Sequence, residues 1–263
     1  MQTNTVLPSI SVVMPALNEE GNVEDAVKAT LAAFEHYDVD GEVLVVDDGS
    51  TDDTAAVVRR LMASDTRVRL HQNGENRGLG ASYWIGCQQA TKDFVTMIPG
   101  DNENDPVEVL RYIHLTRDVD IIVPFIMNAE VRNTQRRIIS ALYRFIINFS
   151  FGTQFNYTNG TVIYNRHILR DVELETSGFF YQAELLVKLV RIGYFYAEVP
   201  ALLAQRGRGQ TKAIAMKSLK HVVKGYLSLF RAIHLSRSAG APQKRLHPQS
   251  VSAQRYETVD ARM

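Results

Sequence analysis

Short apolar runs alternate with stretches of helical periodicity through the first half of the chain. Residues 10–14 are a β-branched run closed by Pro15, which predicts a buried strand. Val23, Ala26, Val27, Thr30, Leu31 and Phe34 then recur at helical spacing and predict a helix over about 22–36. Residues 42–46 form a second predicted strand, ending in Asp47-Asp48-Gly49-Ser50, and Thr51 or Asp52 caps a helix through Met62. Residues 68–70 predict a third strand, and a helix over 78–90 follows the loop 73–77. A fourth apolar run, 94–98, ends abruptly in acids, with Asp101, Glu103 and Asp105 alternating just where the chain leaves the strand. A helix over 106–116 then leads to a strand over 120–123. Strand and helix alternate at about 25 residues per unit, the pattern of an α/β fold with a parallel, doubly wound sheet.

In such sheets ligands bind at the carboxyl ends of the strands. Closely spaced carboxylates at that position suit a hard cation, Mg²⁺ or Mn²⁺. The plainer alternative for Asp101 to Asp105 is a solvated loop that caps the helix beginning at Pro106. Two nucleotide motifs are excluded. No GxxxxGK[ST] occurs, and Gly78-Leu79-Gly80 has Tyr83 where a dinucleotide fingerprint needs its third glycine.

Length changes the picture little: 263 residues with 45% hydrophobic positions fit one large α/β domain with appendages. The single cysteine, Cys87, allows no internal disulfide, which suits a reducing cytosolic setting. Residues 1–9 are a short polar N-terminus without the pattern of a signal peptide. The longest apolar stretch, 138–151, is too short and too interrupted by Ser140, Arg144 and Asn148 to span a bilayer. Charge matters more. The net charge is zero, yet residues 1–198 hold 17 Lys and Arg against 27 Asp and Glu, and residues 199–263 hold 12 against 2. A basic C-terminal segment on an acidic body suggests an anionic partner, a phosphate or a membrane surface rather than a nucleic acid.

Three segments together carry a family resemblance: Pro15-Ala16-Leu17-Asn18-Glu19-Glu20, Val45-Val46-Asp47-Asp48-Gly49-Ser50-Thr51-Asp52, and Asn76-Arg77-Gly78-Leu79-Gly80-Ala81. Over about residues 10–212 the chain resembles the inverting family 2 glycosyltransferases of the GT-A fold. Within them it looks most like dolichol-phosphate mannose synthase and related polyprenyl-phosphate sugar transferases. The resemblance implies that Pro15, Asn18 and Glu19 line a base and ribose, that Asp48 accepts from them, and that Leu17 and Arg77 belong to the same nucleotide site. It also implies a divalent cation on Asp101, with Glu103 adding charge, because Pro99 stands where the family's first metal-motif Asp belongs.

Further along, Arg137 and Ser140 match the family's Arg-x-x-Ser, whose arginine is associated with the acceptor phosphate; Arg132 and Arg136 lie beside it. A guanidinium suits phosphate because its planar fork donates twice. Pro124-Phe125-Ile126 replaces the family's Gly-Ser-Arg, and Asn156 replaces an Asp, so one expected phosphate arginine is missing. Glu184 faces the site in the family's version of its helix. Arg206 and Lys212 lie in a Gly-rich basic loop that resembles one able to fold over a diphosphate and neutralise the leaving group.

Residues 213–235 read as a basic amphipathic helix, with Met216, Leu219, Val222, Val223, Tyr226, Leu227, Phe230 and Ile233 on one face. Such a helix lies in a lipid interface, docks on the body, or pairs in a dimer. From Ser236 to the end the small and polar residues predict a disordered tail.

The resemblance thus implies a peripheral enzyme on the cytoplasmic face of a membrane. It would transfer a sugar from a GDP- or UDP-sugar to a polyprenyl phosphate with inversion, and it leaves room for a membrane-spanning partner protein. Two alternatives stay open. One is transfer to a sugar or lipid hydroxyl, with Glu184 or Glu103 as base. The other is a nucleotide-sugar binding protein without turnover, suggested by Pro99, Ile126 and Asn156.

Overall fold

A computed structural model describes residues 8–128, 134–202, 216–235 and 245–260. The chain runs β1 (Ser9–Ala16), α1 (Val23–Tyr37), β2 (Asp40–Asp47), α2 (Thr54–Ser64), β3 (Val68–Gln72), α3 (Leu79–Gln89) and β4 (Phe94–Met97). It continues through α4 (Pro106–Leu110), a 3-10 turn at Ile113–Arg117, β5 (Ile121–Ile126), α5 (Thr134–Phe151) and β6 (Ile163–Asn165). The last elements are α6 (Tyr181–Ile192), β7 (Tyr196–Ala201), α7 (Met216–His234) and α8 (Val251–Asp260).

The strands form one seven-stranded sheet in the order β3-β2-β1-β4-β6-β5-β7. β1 pairs in parallel with β2 and β4, and β5 with β7. β6 runs antiparallel to both β4 and β5, so β5 points the same way as β4. The carboxyl ends of β1, β2, β3, β4 and β5 therefore share one edge of the sheet. Three residues are too few to show a periodicity, which is why β6 is invisible in the sequence.

Side chains alternate across the sheet, and both faces are buried. Val12, Met14, Val43 and Val45 pack with α1, α2 and α4 on one face. Val13, Leu44 and Val46 pack with α3, α5, α6 and α7 on the other. Continuous apolar strands are what a sheet covered on both faces requires.

For the C-terminal part, one of the open alternatives is met and one expectation changes. The amphipathic helix, α7, is docked on the body: Leu229 is buried, Tyr226 and Ser150 share a hydroxyl hydrogen bond at 2.8 Å, and the Ser228 hydroxyl donates to Glu175 at 2.7 Å. A side chain at Gly225 would come within 2.8 Å of the Phe180 ring, so the helix sits close because this residue is glycine. Val223 and Leu227 remain exposed.

The stretch read as a disordered tail contains α8, which packs against the start of β5. There the fully buried Asp120 accepts the backbone N–H groups of Val251 and Ser252, both at 2.9 Å, and the Ser252 hydroxyl. A carboxylate at a helix N-terminus satisfies its free donors and its dipole. The anchor is polar, so no apolar periodicity announced it.

Candidate functional site

Asp47 and Asp48 close β2 at the carboxyl edge of the sheet, and both are buried. Asp47 holds the turn, accepting the Ser50 N–H at 2.9 Å and the Gln72 amide at 3.0 Å. Asp48 binds the far side. Its Oδ1 accepts from the Asn73 amide and the Ser82 hydroxyl, both at 2.8 Å, and from the Arg77 N–H at 2.9 Å; its Oδ2 accepts the Gly78 N–H at 2.9 Å. The carboxylate expected to meet a nucleoside is thus already the hub of the loop before α3. Oδ2, with one donor, is the atom that keeps capacity for another.

The β1 loop is laced to the β2 loop. Asn18 adopts a left-handed conformation (φ 57°); its N–H donates to the Ser50 hydroxyl and its side-chain oxygen accepts the Thr51 N–H, each at 2.9 Å. The Glu19 N–H donates to the Thr54 hydroxyl at 2.8 Å, while its carboxylate takes the Asn22 amide at 2.7 Å. Leu17 is exposed at the loop tip and Pro15 is buried inside β1. The Pro15 carbonyl accepts the Gly100 N–H at 3.0 Å, which places Asp101 beside this loop.

At the acidic tip, Asp101 Oδ1 accepts the Glu103 N–H at 3.1 Å, around a left-handed Asn102. Asp105 accepts the Val107 N–H and caps α4, so it is spent on structure. Among the described residues no three His, Cys, Asp or Glu side chains come together around a metal position. Asp101 and Glu103 stand two residues apart at the tip. That is compatible with Mg²⁺, which commonly takes one or two carboxylates and completes its shell with substrate phosphates and water.

The loop before α6 is tied to the start of α3. The Ser177 carbonyl accepts the Gly80 N–H at 2.9 Å, and a side chain at Gly80 would come within 2.8 Å of the Gly178 carbonyl. Glu184 secures this loop from below: it is buried, accepts the Glu175 and Thr176 N–H groups at 2.9 and 3.1 Å, and pairs with Lys188 at 2.7 Å. A carboxylate so engaged positions a loop, and the part of a free general base does not suit it. Arg77 has an exposed side chain about 4.0 Å from Glu75.

On the far half of the same edge, a cleft of about 440 Å³ opens between the end of β5, α5 and the 156–157 loop. Ile126, Arg137, Ser140, Arg144, Asn156 and Tyr157 line it. Ile138 lines it too, and beyond it Ile139, Leu142, Phe145 and Phe149 of α5 are exposed, Phe149 at 81%. Phe145 and Phe149 stack on each other in the open, with ring centroids 5.9 Å apart.

The structure therefore gathers Pro15 to Glu19, Asp48, Arg77 and Asp101 to Glu103 at one half of the edge, and Arg137 at the other. Arg132, Arg206 and Lys212 lie outside the described residues. Arg144 and Glu198 were not singled out in the sequence. For Arg144 a signal existed, because it stands two helical turns after Arg137.

The family described as glycosyl transferase family 2 matches residues 11–174 of this chain. Over 174 residues, 64% of the chain, it is 29% identical to the undecaprenyl-phosphate 4-deoxy-4-formamido-L-arabinose transferase of Sodalis glossinidius, and it spans about half of that relative's length (52%). It is 26% identical over 214 residues to the polyprenol monophosphomannose synthase of Mycolicibacterium smegmatis, covering 76% of this chain and 79% of that one. A dodecaprenyl-phosphate galacturonate synthase of Rhizobium johnstonii is 28% identical over 63% of this chain and 50% of its own. Among solved structures, glucosyl-3-phosphoglycerate synthase of Mycobacterium tuberculosis, in complex with Mn²⁺, UDP and its product, superposes with a TM-score of 0.62 at 23% identity. The superposition covers 90% of this chain and 82% of that one, and establishes a shared GT-A fold.

Proposed function

Since the chain belongs to glycosyl transferase family 2, we propose that it transfers a sugar from a nucleoside diphosphate sugar to a polyprenyl phosphate. One observation carries this reading: the Arg137 cleft opens directly beside the exposed apolar face of α5. A phosphate head in the cleft and an isoprenoid tail along Ile138, Leu142 and Phe145 match that juxtaposition. The names of the bacterial relatives, all polyprenyl-phosphate sugar transferases or synthases, support the same acceptor class.

The chemistry needs little from the protein beyond placement. An acceptor phosphate is ionised near neutral pH, so no base has to remove a proton. Its oxygen forms the new bond to the anomeric carbon as the bond from that carbon to the nucleoside diphosphate breaks, and the configuration inverts. The Pro15 to Glu19 loop and Asp48 hold the nucleoside. Asp101 and Glu103 would hold a Mg²⁺ or Mn²⁺ ion, which, when bound, neutralises charge on the departing diphosphate. Structures of the mycobacterial neighbour with Mn²⁺ or Mg²⁺ and UDP support a divalent ion here. Arg206 and Lys212 would add cations to the same leaving group.

None of the described helices is long and apolar enough to cross a membrane. The exposed apolar residues of α5, with Val223 and Leu227 of α7, support a place at a bilayer surface, and we propose the cytoplasmic leaflet. The hydroxyl-acceptor alternative loses Glu184 as its base to the Glu175 and Thr176 N–H groups. A donor screen tests the proposal: purified protein with GDP- and UDP-sugars, with and without lipid extract, reading nucleotide release. Release that requires the lipid supports it; release to water alone, or none with any donor, overturns it.

A further inference from the structure

A phosphate acceptor is a dianion near neutral pH, with a second ionisation near pH 6. One arginine offsets only part of that charge, and Ile126, at the end of β5 in the same cleft, adds none. The geometry points to Arg144 as a second phosphate ligand, gripping the acceptor from the opposite end of the cleft to Arg137. This rests on the polyprenyl-phosphate reading above.

Three observations carry it. Arg137 and Arg144 line the same cleft. Seven residues apart, they project from one helical face at Cα positions about 10.5 Å apart along the axis, within reach of two arginine arms closing on one phosphate. Among the described residues no ion pair involves Arg137 or Arg144. Arg144 Nη1 instead donates to the Asn156 carbonyl at 3.1 Å, a neutral partner that aims the guanidinium without cancelling its charge.

An acid beside the cleft, Glu198, is held by the same residue. Glu198 accepts the Asn156 N–H at 2.6 Å and the Asn156 side-chain amide at 2.7 Å, so both carboxylate oxygens point at Asn156. An Asp at position 156 would face Glu198 as a like charge and offer Arg144 an ion pair instead. Asn156 thus keeps the lip of the cleft beside Arg144 neutral.

The test is acceptor kinetics with farnesyl phosphate as the probe, on full-length wild type, Arg144→Gln and Arg144→Lys, with nucleotide binding to each protein as the control of folding. Gln can still donate to the Asn156 carbonyl, so a purely structural bond survives that change. We expect Arg144→Gln to raise the acceptor KM about tenfold or more, the loss typical of a charge-assisted contact, with nucleotide affinity unchanged and Lys restoring part of it. The wild-type acceptor affinity should fall below about pH 6 as the phosphate becomes a monoanion, and this fall should flatten in Arg144→Gln. A wild-type KM and pH profile in Arg144→Gln overturn the inference. Arg137→Ala separates the two claims: if it impairs acceptor use while Arg144→Gln does not, only this inference fails, and if neither matters, the phosphate-acceptor reading fails. Inorganic phosphate is the second probe, competing with farnesyl phosphate in wild type and less in Arg144→Gln. If it binds as tightly as farnesyl phosphate, Arg144 stands as a phosphate ligand and the lipid source is refuted.

Discussion

The carboxylate of Asp48 accepts the backbone N–H of Gly78 at 2.9 Å, joining the end of β2 to the entrance of α3. With Arg77, Asn73 and Ser82 also donating to it, one buried charge fixes the loop before α3. Asp48→Asn replaces an acceptor by a donor among four donors. Hydrogen bonds to charged groups contribute about 1.5–3 kcal/mol each, so a destabilisation of at least ~2 kcal/mol in urea unfolding is expected, together with weaker nucleotide binding. Weaker binding at unchanged stability would instead reserve the carboxylate for ligand alone.

The acidic tip makes a separate prediction. Asp101→Ala should cut turnover by about 10²-fold or more, the scale of losing a principal electrostatic stabiliser, and EDTA should do the same to the wild type. Melting should barely change, because the described contact of the Asp101 side chain is the local one to Glu103. Full activity of the variant, or of the wild type in EDTA, would remove the ion from this site.

Membrane attachment is best tested on α5. Removing α7 would uncover Phe151 and Phe180 and break the helix's bonds to Ser150 and Glu175, so truncation would confound folding with binding. Phe145 and Phe149 are 64% and 81% exposed and stack chiefly on each other. Replacing both by Glu should leave the melting temperature within a few degrees and abolish sedimentation with anionic liposomes. Undiminished co-sedimentation would place the lipid contact elsewhere.

Burial pushes the Cys87 thiol up to about 12, although the Tyr83 hydroxyl acts in the opposite direction. The thiolate is the reactive form, so at pH 8 the folded protein should resist iodoacetamide while the urea-unfolded chain reacts. Rapid labelling of the folded protein would contradict the packing of α3 on the sheet.

Much of this was legible in the sequence, for a physical reason. Val12 to Met14, Val43 to Val46 and Val95 lie in a sheet buried on both faces, so their apolar runs mark strands directly, and the polar residues closing them mark the site edge. What stayed hidden is held by polar contacts between distant residues. α8 rests on Asp120, more than 130 positions away, and the loop before α6 on Glu184. Glu184 was legible as an acid near the site, but its use as a backbone anchor depends on where the Glu175 and Thr176 N–H groups fall. Arg144 was legible in part: its helical spacing from Arg137 is in the sequence, but its partner is a backbone carbonyl, which no side-chain pattern records.

The central claim is that the acceptor is a phosphate on a lipid. The direct measurement compares farnesyl phosphate with farnesol as acceptors for the purified protein and its preferred nucleotide sugar, following glycolipid formation and the anomeric configuration of the product. The account predicts transfer to farnesyl phosphate with inversion, and none above background to farnesol. Equal transfer to the alcohol, or retention of configuration, would contradict it.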